Sequence, residues 1–190
     1  MIQEIYSKFI GCNKKVTTDT RKINSGCIFF ALKGPNFNGN QFAKDALTKG
    51  AKFAIIDQKE FFIQGKTILV ENVLATLQEL AQFHRNQFEI PVIGITGTNG
   101  KTTTKELIGV VLSSKYNTLV TEGNLNNHIG VPLTLLKINS KHEIAIIEMG
   151  ASKIGDIKEL AEIAMPTHGI ITNIGKAHLE GFGNIENIKK

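Results

Sequence analysis

Val92-Ile93-Gly94-Ile95-Thr96-Gly97-Thr98-Asn99-Gly100-Lys101-Thr102 is the stretch whose reading decides the fold. An apolar, β-branched run leads into a segment with glycine at positions 94, 97 and 100, and Gly-Lys-Thr then opens a helical pattern. Strand, loop and helix in that order are the context of a phosphate-binding loop. Glycines let the backbone turn tightly and aim its N–H groups at phosphate oxygens, and the helix N-terminus adds partial positive charge. Gly97, Thr98, Asn99, Gly100, Lys101, Thr102 and Thr103 are therefore the expected phosphate-binding residues. Lys101 would reach the β- and γ-phosphates, and the Thr102 hydroxyl would ligate Mg²⁺. One departure stands out: the common loop has glycine where Ile95 stands. The competing reading is a glycine-rich turn that binds nothing, and Gly-Lys-Thr in this context weighs against it.

Such a loop needs a second metal ligand from a neighbouring strand. Residues 143–148, Glu-Ile-Ala-Ile-Ile-Glu, supply one: an apolar strand ending in the carboxylate of Glu148. Its bland reading is a solvated strand-end acid, but the small residues Gly150-Ala151-Ser152 that follow leave room for a ligand. Strands are also predicted at 92–96, 118–121 and 169–174, with helices at 101–114 and 155–164. This alternation implies a parallel sheet covered on both faces, with its ligand site beyond the carboxyl ends of the strands. His178 follows the last strand, where site residues gather, although a lone loop histidine is more often an ordinary surface residue.

Upstream, residues 27–32 read as a buried strand after a turn at Asn24-Ser25-Gly26. Residues 41–49 read as a helix with Asn40 as N-cap and Gly50 just past its end. Strands follow at 52–56 and 67–70. Asn72 then caps a helix with Val73, Leu77, Leu80 and Ala81 on one face. That helix fades before Pro91, which puts a domain boundary at about residues 88–91. The fold class is therefore α/β: a small mixed α/β N-terminal domain over 1–88, then a parallel-sheet P-loop domain over 89–190.

A chain of 190 residues has room for one large or two small domains. With 42% hydrophobic and 21% charged residues, wholesale disorder is excluded. The longest apolar run, 27–32, falls far short of the ~20 residues that span a bilayer. The N-terminus carries Glu4 early and lacks the apolar core of a secretory signal. Cys12 and Cys27 are too few for a disulfide scaffold and lack zinc-site spacing, so reduced thiols in a cytoplasmic protein are the expectation. Net charge is +5, but Arg21 and Arg85 are the only arginines and the lysines are scattered. That pattern speaks against a nucleic-acid partner and for a small anionic ligand.

The motifs together resemble the Mur ligase family, the ATP-dependent amide ligases of peptidoglycan precursor synthesis. The family's loop signature stands at residues 96–102, including the missing glycine. Thr18-Asp19-Thr20-Arg21, the stretch 26–34, Asn38-Gly39 and Phe42 look like the family's N-terminal UDP-substrate domain. Residues 123–136 (GNLNNHIGVPLTLL), Glu148-Met149-Gly150-Ala151 and 173–183 resemble one branch in particular (MurF), which joins D-alanyl-D-alanine to UDP-N-acetylmuramoyl-tripeptide.

The resemblance implies catalytic roles for Lys101 and His178, with ATP and Mg²⁺ as cofactors. Thr102 and Glu148 would hold one Mg²⁺ and His178 a second. Thr18, Asp19, Thr20, Arg21, Lys33, Gly34, Asn38 and Gly39 would cradle the uridine diphosphate. Asn124, Asn126 and Asn127 would face the muramoyl peptide. The fork of Arg21 suits a diphosphate, and asparagines suit a sugar or peptide, although turn chemistry explains an asparagine cluster as well. A cytoplasmic monomer with no membrane span is implied. The family also carries a C-terminal domain, so this chain is expected to be an N-terminal portion, inactive alone. The alternatives are a non-catalytic nucleotide and UDP-sugar binding module, another Mur branch, or an unrelated P-loop enzyme. The last lacks a guanine-recognition segment and leaves the first ninety residues unexplained.

Overall fold

Short apolar strands separated by helices build a parallel sheet in each half of the chain. The computed structural model describes residues 1–175, and the chain divides into two units, Met1–Leu80 and Ala81–Lys190. The elements of the first unit are α1 (Ile2–Gly11), β1 (Val16–Thr17), β2 (Ile28–Phe30), β3 (Lys33–Gly34), β4 (Phe37–Asn38), α2 (Ala43–Thr48), β5 (Phe53–Ile56), β6 (Thr67–Leu69) and most of α3 (Val73–Arg85). Its main sheet runs β1-β2-β5-β6, parallel throughout, with β3 and β4 as a separate antiparallel hairpin.

Side chains alternate across a strand, so β2 and β5 serve two faces. Cys27, Phe29, Ala31, Ala54 and Ile56 pack with Ala43 and Ala46 of α2. Ile28, Phe30 and Ile55, on the opposite face, are equally buried. A strand buried on both faces needs continuous apolar sequence, which residues 27–32 provide. Asn72 caps α3 as expected, its Oδ1 accepting from Ala75 N at 2.9 Å. Leu77 and Leu80 of that helix are fully buried, each stabilising by roughly 1.5–3 kcal/mol.

The second unit carries β7 (Val92–Thr96), α4 (Lys101–Ser113), β8 (Thr118–Val120), α5 (Gly130–Leu135), β9 (Ile144–Glu148), α6 (Asp156–Ala164) and β10 (His168–Ile171). Its sheet order is β10-β7-β9-β8, all parallel. The loop-bearing strand β7 is therefore central, and its register pairs Ile95 with Glu148 of β9.

Two expectations are corrected. Asn40 does not cap a helix over 41–49. A 3₁₀ turn, Gly39–Phe42, precedes α2, and Asn38 Oδ1 accepts from Asn40 N at 3.1 Å. Asn40 is fully buried, and a buried amide must use both ends. Its Nδ2 donates to Asp57 Oδ1 at 2.9 Å, and its Oδ1 accepts from Asp57 N at 3.0 Å. The strand expected over 169–174 ends at Ile171, because Thr172 and Asn173 turn their polar groups onto the β7–α4 loop. The division at Leu80 and Ala81 falls inside α3, ahead of the boundary expected at 88–91. His84 and Arg85, in the last turn of α3, bond within the second unit. His84 Nε2 lies 2.8 Å from Ile138 O, and Arg85 Nη1 donates to Phe88 O at 2.6 Å. Among the described residues no helix is long and apolar enough to cross a membrane.

Candidate nucleotide and metal site

The loop between β7 and α4 turns on two glycines with positive φ, Gly97 (+136°) and Gly100 (+79°). Both values lie where residues with a Cβ are strained. At Gly97 a Cβ would also run into Thr172. Thr172 and Asn173 clasp this loop from the end of β10. Thr98 N donates to Asn173 O at 3.0 Å, Asn99 N to Asn173 Oδ1 at 3.1 Å, and Thr172 Oγ1 lies 2.6 Å from Asn99 O. Thr98 Oγ1 and the backbone of Gly175 complete the clasp, Gly175 N donating at 2.8 Å. Lys101, at the start of α4, folds back over the loop and donates to Gly97 O at 2.6 Å and Thr98 O at 3.2 Å. Thr102 and Thr103 are exposed on the first turn of α4.

Parallel pairing of β7 with β9 brings Glu148 beside that turn. Thr102 Oγ1 donates to Glu148 Oε1 at 3.2 Å, and Asn126 Nδ2 donates to the same oxygen at 2.8 Å. Glu148 is 1% exposed. Among the described residues its Oε2 accepts no hydrogen bond and faces Lys105 Nζ at 3.8 Å. A buried carboxylate oxygen without a hydrogen bond is costly unless something fills the gap. Together with the adjacent hydroxyl it makes a hard-oxygen pair of the kind Mg²⁺ accepts alongside phosphate oxygens. The residues present fit the metal. His178, the other expected metal ligand, lies outside the described residues.

The asparagines divide their tasks. Asn126 steadies Glu148 and accepts from Gly150 N at 2.8 Å. Asn127 Oδ1 accepts from Ile129 N and Gly130 N ahead of α5. Asn124 is exposed.

In the first unit Thr18, Asp19, Thr20 and Arg21 line a cleft of about 410 Å³ with Phe29 and Phe37. Arg21 turns its fork on Asp19, with Nε to Oδ1 at 2.9 Å and Nη2 to Oδ2 at 2.8 Å. Hydrogen bonds from the Arg21 side chain, then from its backbone N–H, hold the Asp19 carboxyl down to about 2. Lys33 and Asn38 have side-chain partners within the unit. Lys33 pairs with Asp57 at 3.1 Å, and Asn38 Nδ2 donates to Gln58 Oε1 at 2.8 Å. Lys33 and Gly34 pair with Asn38 and Phe37 across the hairpin, so these residues carry Phe37 to the cleft. Gly39 is needed because a Cβ there would strike the Leu32 carbonyl. Cys12 and Cys27 are buried and free, their thiol pKa values raised by burial.

Sequence reasoning passed over Thr172 and Lys105. A lysine one turn after the phosphate-loop lysine was the one available signal for Lys105; nothing local marks Thr172 as a loop clasp.

Residues 95–190 match the family description Mur ligase middle domain, and residues 14–92 match Mur ligase family, catalytic domain. The chain is 46% identical over 172 residues to a UDP-N-acetylmuramoyl-tripeptide–D-alanyl-D-alanine ligase of Synechocystis, covering 89% of this chain and 38% of that protein. MurF from Acinetobacter baumannii superposes with a TM-score of 0.87 at 37% identity, over 92% of this chain and 39% of that one. MurF ligase from Thermotoga maritima, solved in complex with ADP, gives 0.85 at 37% identity, over 94% and 42%. The chain thus spans about two fifths of the length of these relatives. With both domain descriptions matched in order, two parallel sheets superposing on solved relatives, and the expected loop standing on the expected strand, the chain belongs to the Mur ligase family, and its likeness within that family is to the MurF branch.

Proposed function

We propose that the chain carries the nucleotide loop and the uridine-diphosphate cleft of an ATP-dependent amide ligase of peptidoglycan precursor synthesis. The reaction would join D-alanyl-D-alanine to UDP-N-acetylmuramoyl-tripeptide in the cytoplasm. The observation that carries this reading is the meeting of Thr102 and the buried Glu148 beside the Gly97–Thr102 loop. The relatives' names and the ADP bound to one of them support it.

In this reading the stem peptide's terminal carboxylate attacks the γ-phosphate, giving an acyl phosphate and ADP. The amine of D-alanyl-D-alanine then attacks the acyl carbon, loses a proton and expels phosphate. Phosphoryl transfer is mainly positioning and charge neutralisation. Lys101 would leave the carbonyls of Gly97 and Thr98 for the phosphates. Thr102 and Glu148 would hold Mg²⁺, with Asn126 fixing the carboxylate, and His178 would hold a second ion. Bound there, the metal would offset repulsion between carboxylate and triphosphate. Thr18, Asp19, Thr20 and Arg21, with Phe29 and Phe37, would take the uridine diphosphate, and Asn124 and Asn127 would meet the muramoyl peptide.

Binding of a fluorescent ADP to the chain tests the nucleotide reading. Affinity should require Mg²⁺ and fall at least about 10-fold in Lys101→Ala, as loss of a charge-assisted contact of about 1.5–3 kcal/mol implies, with an unchanged melting temperature. Wild-type affinity in that variant would sink the assignment. The chain, which spans about two fifths of these relatives, is expected to bind without turnover, and robust phosphate release on adding ATP, UDP-muramoyl-tripeptide and D-alanyl-D-alanine would overturn that expectation.

A further inference from the structure

One turn of α4 beyond Lys101, Lys105 has no exposed surface. Burying an ammonium is costly unless it is paired and hydrogen-bonded. A Met or Leu would fill the same space between helix and sheet without that cost. The charge is instead fully engaged. Lys105 Nζ donates to Thr121 O at 2.8 Å and Gly123 O at 3.2 Å, pairs with Glu106 Oε1 at 2.9 Å, and stands 3.8 Å from Glu148 Oε2.

These partners form a circuit. Thr121 Oγ1 accepts from Glu148 N at 2.9 Å. The chain leaving Thr121 and Gly123 carries Asn126, whose amide returns to Glu148 Oε1 at 2.8 Å. Asn126 O then accepts from Gly150 N, just past Glu148, at 2.8 Å. Lys105 is the charged member that touches both sides of the circuit: the carbonyls that launch the asparagine segment and the carboxylate beside the phosphate loop. It lies against Glu148 Oε2 without hydrogen-bonding it, which leaves that oxygen's lone pairs for a cation.

We propose that Lys105 is a positioning residue that holds Glu148 and the segment 121–127 in one frame, so that nucleotide and cation bound at the loop order the asparagines that meet the second substrate. The proposal rests on the nucleotide reading above and extends it to communication between the two substrate sites. Lys105 itself touches neither substrate.

Amide hydrogen exchange tests it, since several N–H groups in this segment are bonded, among them Leu125 to Glu122 O and Gly130 to Asn127 Oδ1. Exchange over residues 122–130 is measured with and without Mg²⁺ and a non-hydrolysable ATP analogue, in wild type, Lys105→Met and Lys105→Arg. Analogue binding should slow exchange there in wild type. In Lys105→Met exchange should be at least tenfold faster and deaf to the analogue, while the analogue still binds within about threefold and β7 keeps its protection. Lys105→Arg, which keeps charge and donors, should recover most of the coupling. Wild-type exchange and wild-type response in Lys105→Met would overturn the proposal. Protection lost evenly over α4, β7 and β8 would overturn it too, as the mark of a merely structural lysine. Should Lys105→Met not fold, Lys105→Gln, which keeps one donor without charge, is judged by the same criteria. If the analogue fails to bind wild type, the nucleotide reading falls, and the nucleotide-free exchange of 122–130 against β7 decides Lys105 alone.

Discussion

Thr102 and Glu148, 46 residues apart in the chain, meet at 3.2 Å, and the chemistry of the second unit follows from which atoms each leaves available. Glu148 has one oxygen held by Thr102 and Asn126 and another that, among the described residues, accepts no hydrogen bond. Lys101 donates to loop carbonyls that a phosphate would displace it from. In the first unit the same question falls on Asp19. Its carboxyl is held near 2 by Arg21, below its ordinary 3.8, so the pair is charged at any neutral pH. A depressed carboxyl stabilises the fold above its ordinary value, and that contribution fades as pH falls through about 2. NMR titration should find Asp19 near 2 in wild type and close to the ordinary value in Arg21→Ala. An unmoved titration would mean that the fork does not hold Asp19 in solution. At this scale the sequence was legible for Lys101, Thr102 and Glu148, because each sits beside a local marker: a glycine loop or an apolar strand end. Asn126 and Asn127 were legible as polar but not as bonded, since their partners lie across the fold.

At the scale of elements, a strand delivers a site residue only through its register. β7 pairs with β9 so that Ile95 faces Glu148, and with β10 so that Thr96 faces Ile171. β10 then stops, and Thr172 and Asn173 close on the loop. Gly97 sits inside that closure with φ +136° and a Cβ position that collides with Thr172. Gly97→Ala should therefore cost on the order of 2 kcal/mol or more of stability, adding left-handed strain to steric overlap, and should weaken ADP binding. Gly11→Ala, at the end of α1 where a Cβ meets nothing within 4 Å, is the control and should leave the denaturation midpoint unchanged or slightly raised. The elements themselves were largely legible, since β2, β7, β9, α3 and α4 have clear periodicity. The misread ends, Asn40 and residues 172–174, are places where a polar side chain found a distant partner stronger than the local pattern.

For the whole molecule, two sheets each carry their own candidate ligand surface. A ligand stabilises what it binds, by about 2.7 kcal/mol at a hundred times its dissociation constant. Exchange protection from uridine diphosphate should thus fall on residues 18–42, and protection from Mg²⁺ and adenine nucleotide on 94–105, 122–130 and 148–175. Protection of the same residues by both ligands would contradict the assignment of one ligand to each unit. The sequence by itself determined that there are two α/β units and that the second carries the pattern of a phosphate loop. Strand period, glycine spacing and Gly-Lys-Thr are properties of neighbouring residues, and secondary structure responds to neighbours. Only the tertiary structure decided that Lys105 backs Glu148, that Thr172 and Asn173 clasp the loop, and that Phe37 reaches the cleft. Those contacts depend on strand order and register, and crossover connections bring together side chains from distant stretches of chain that no local pattern relates.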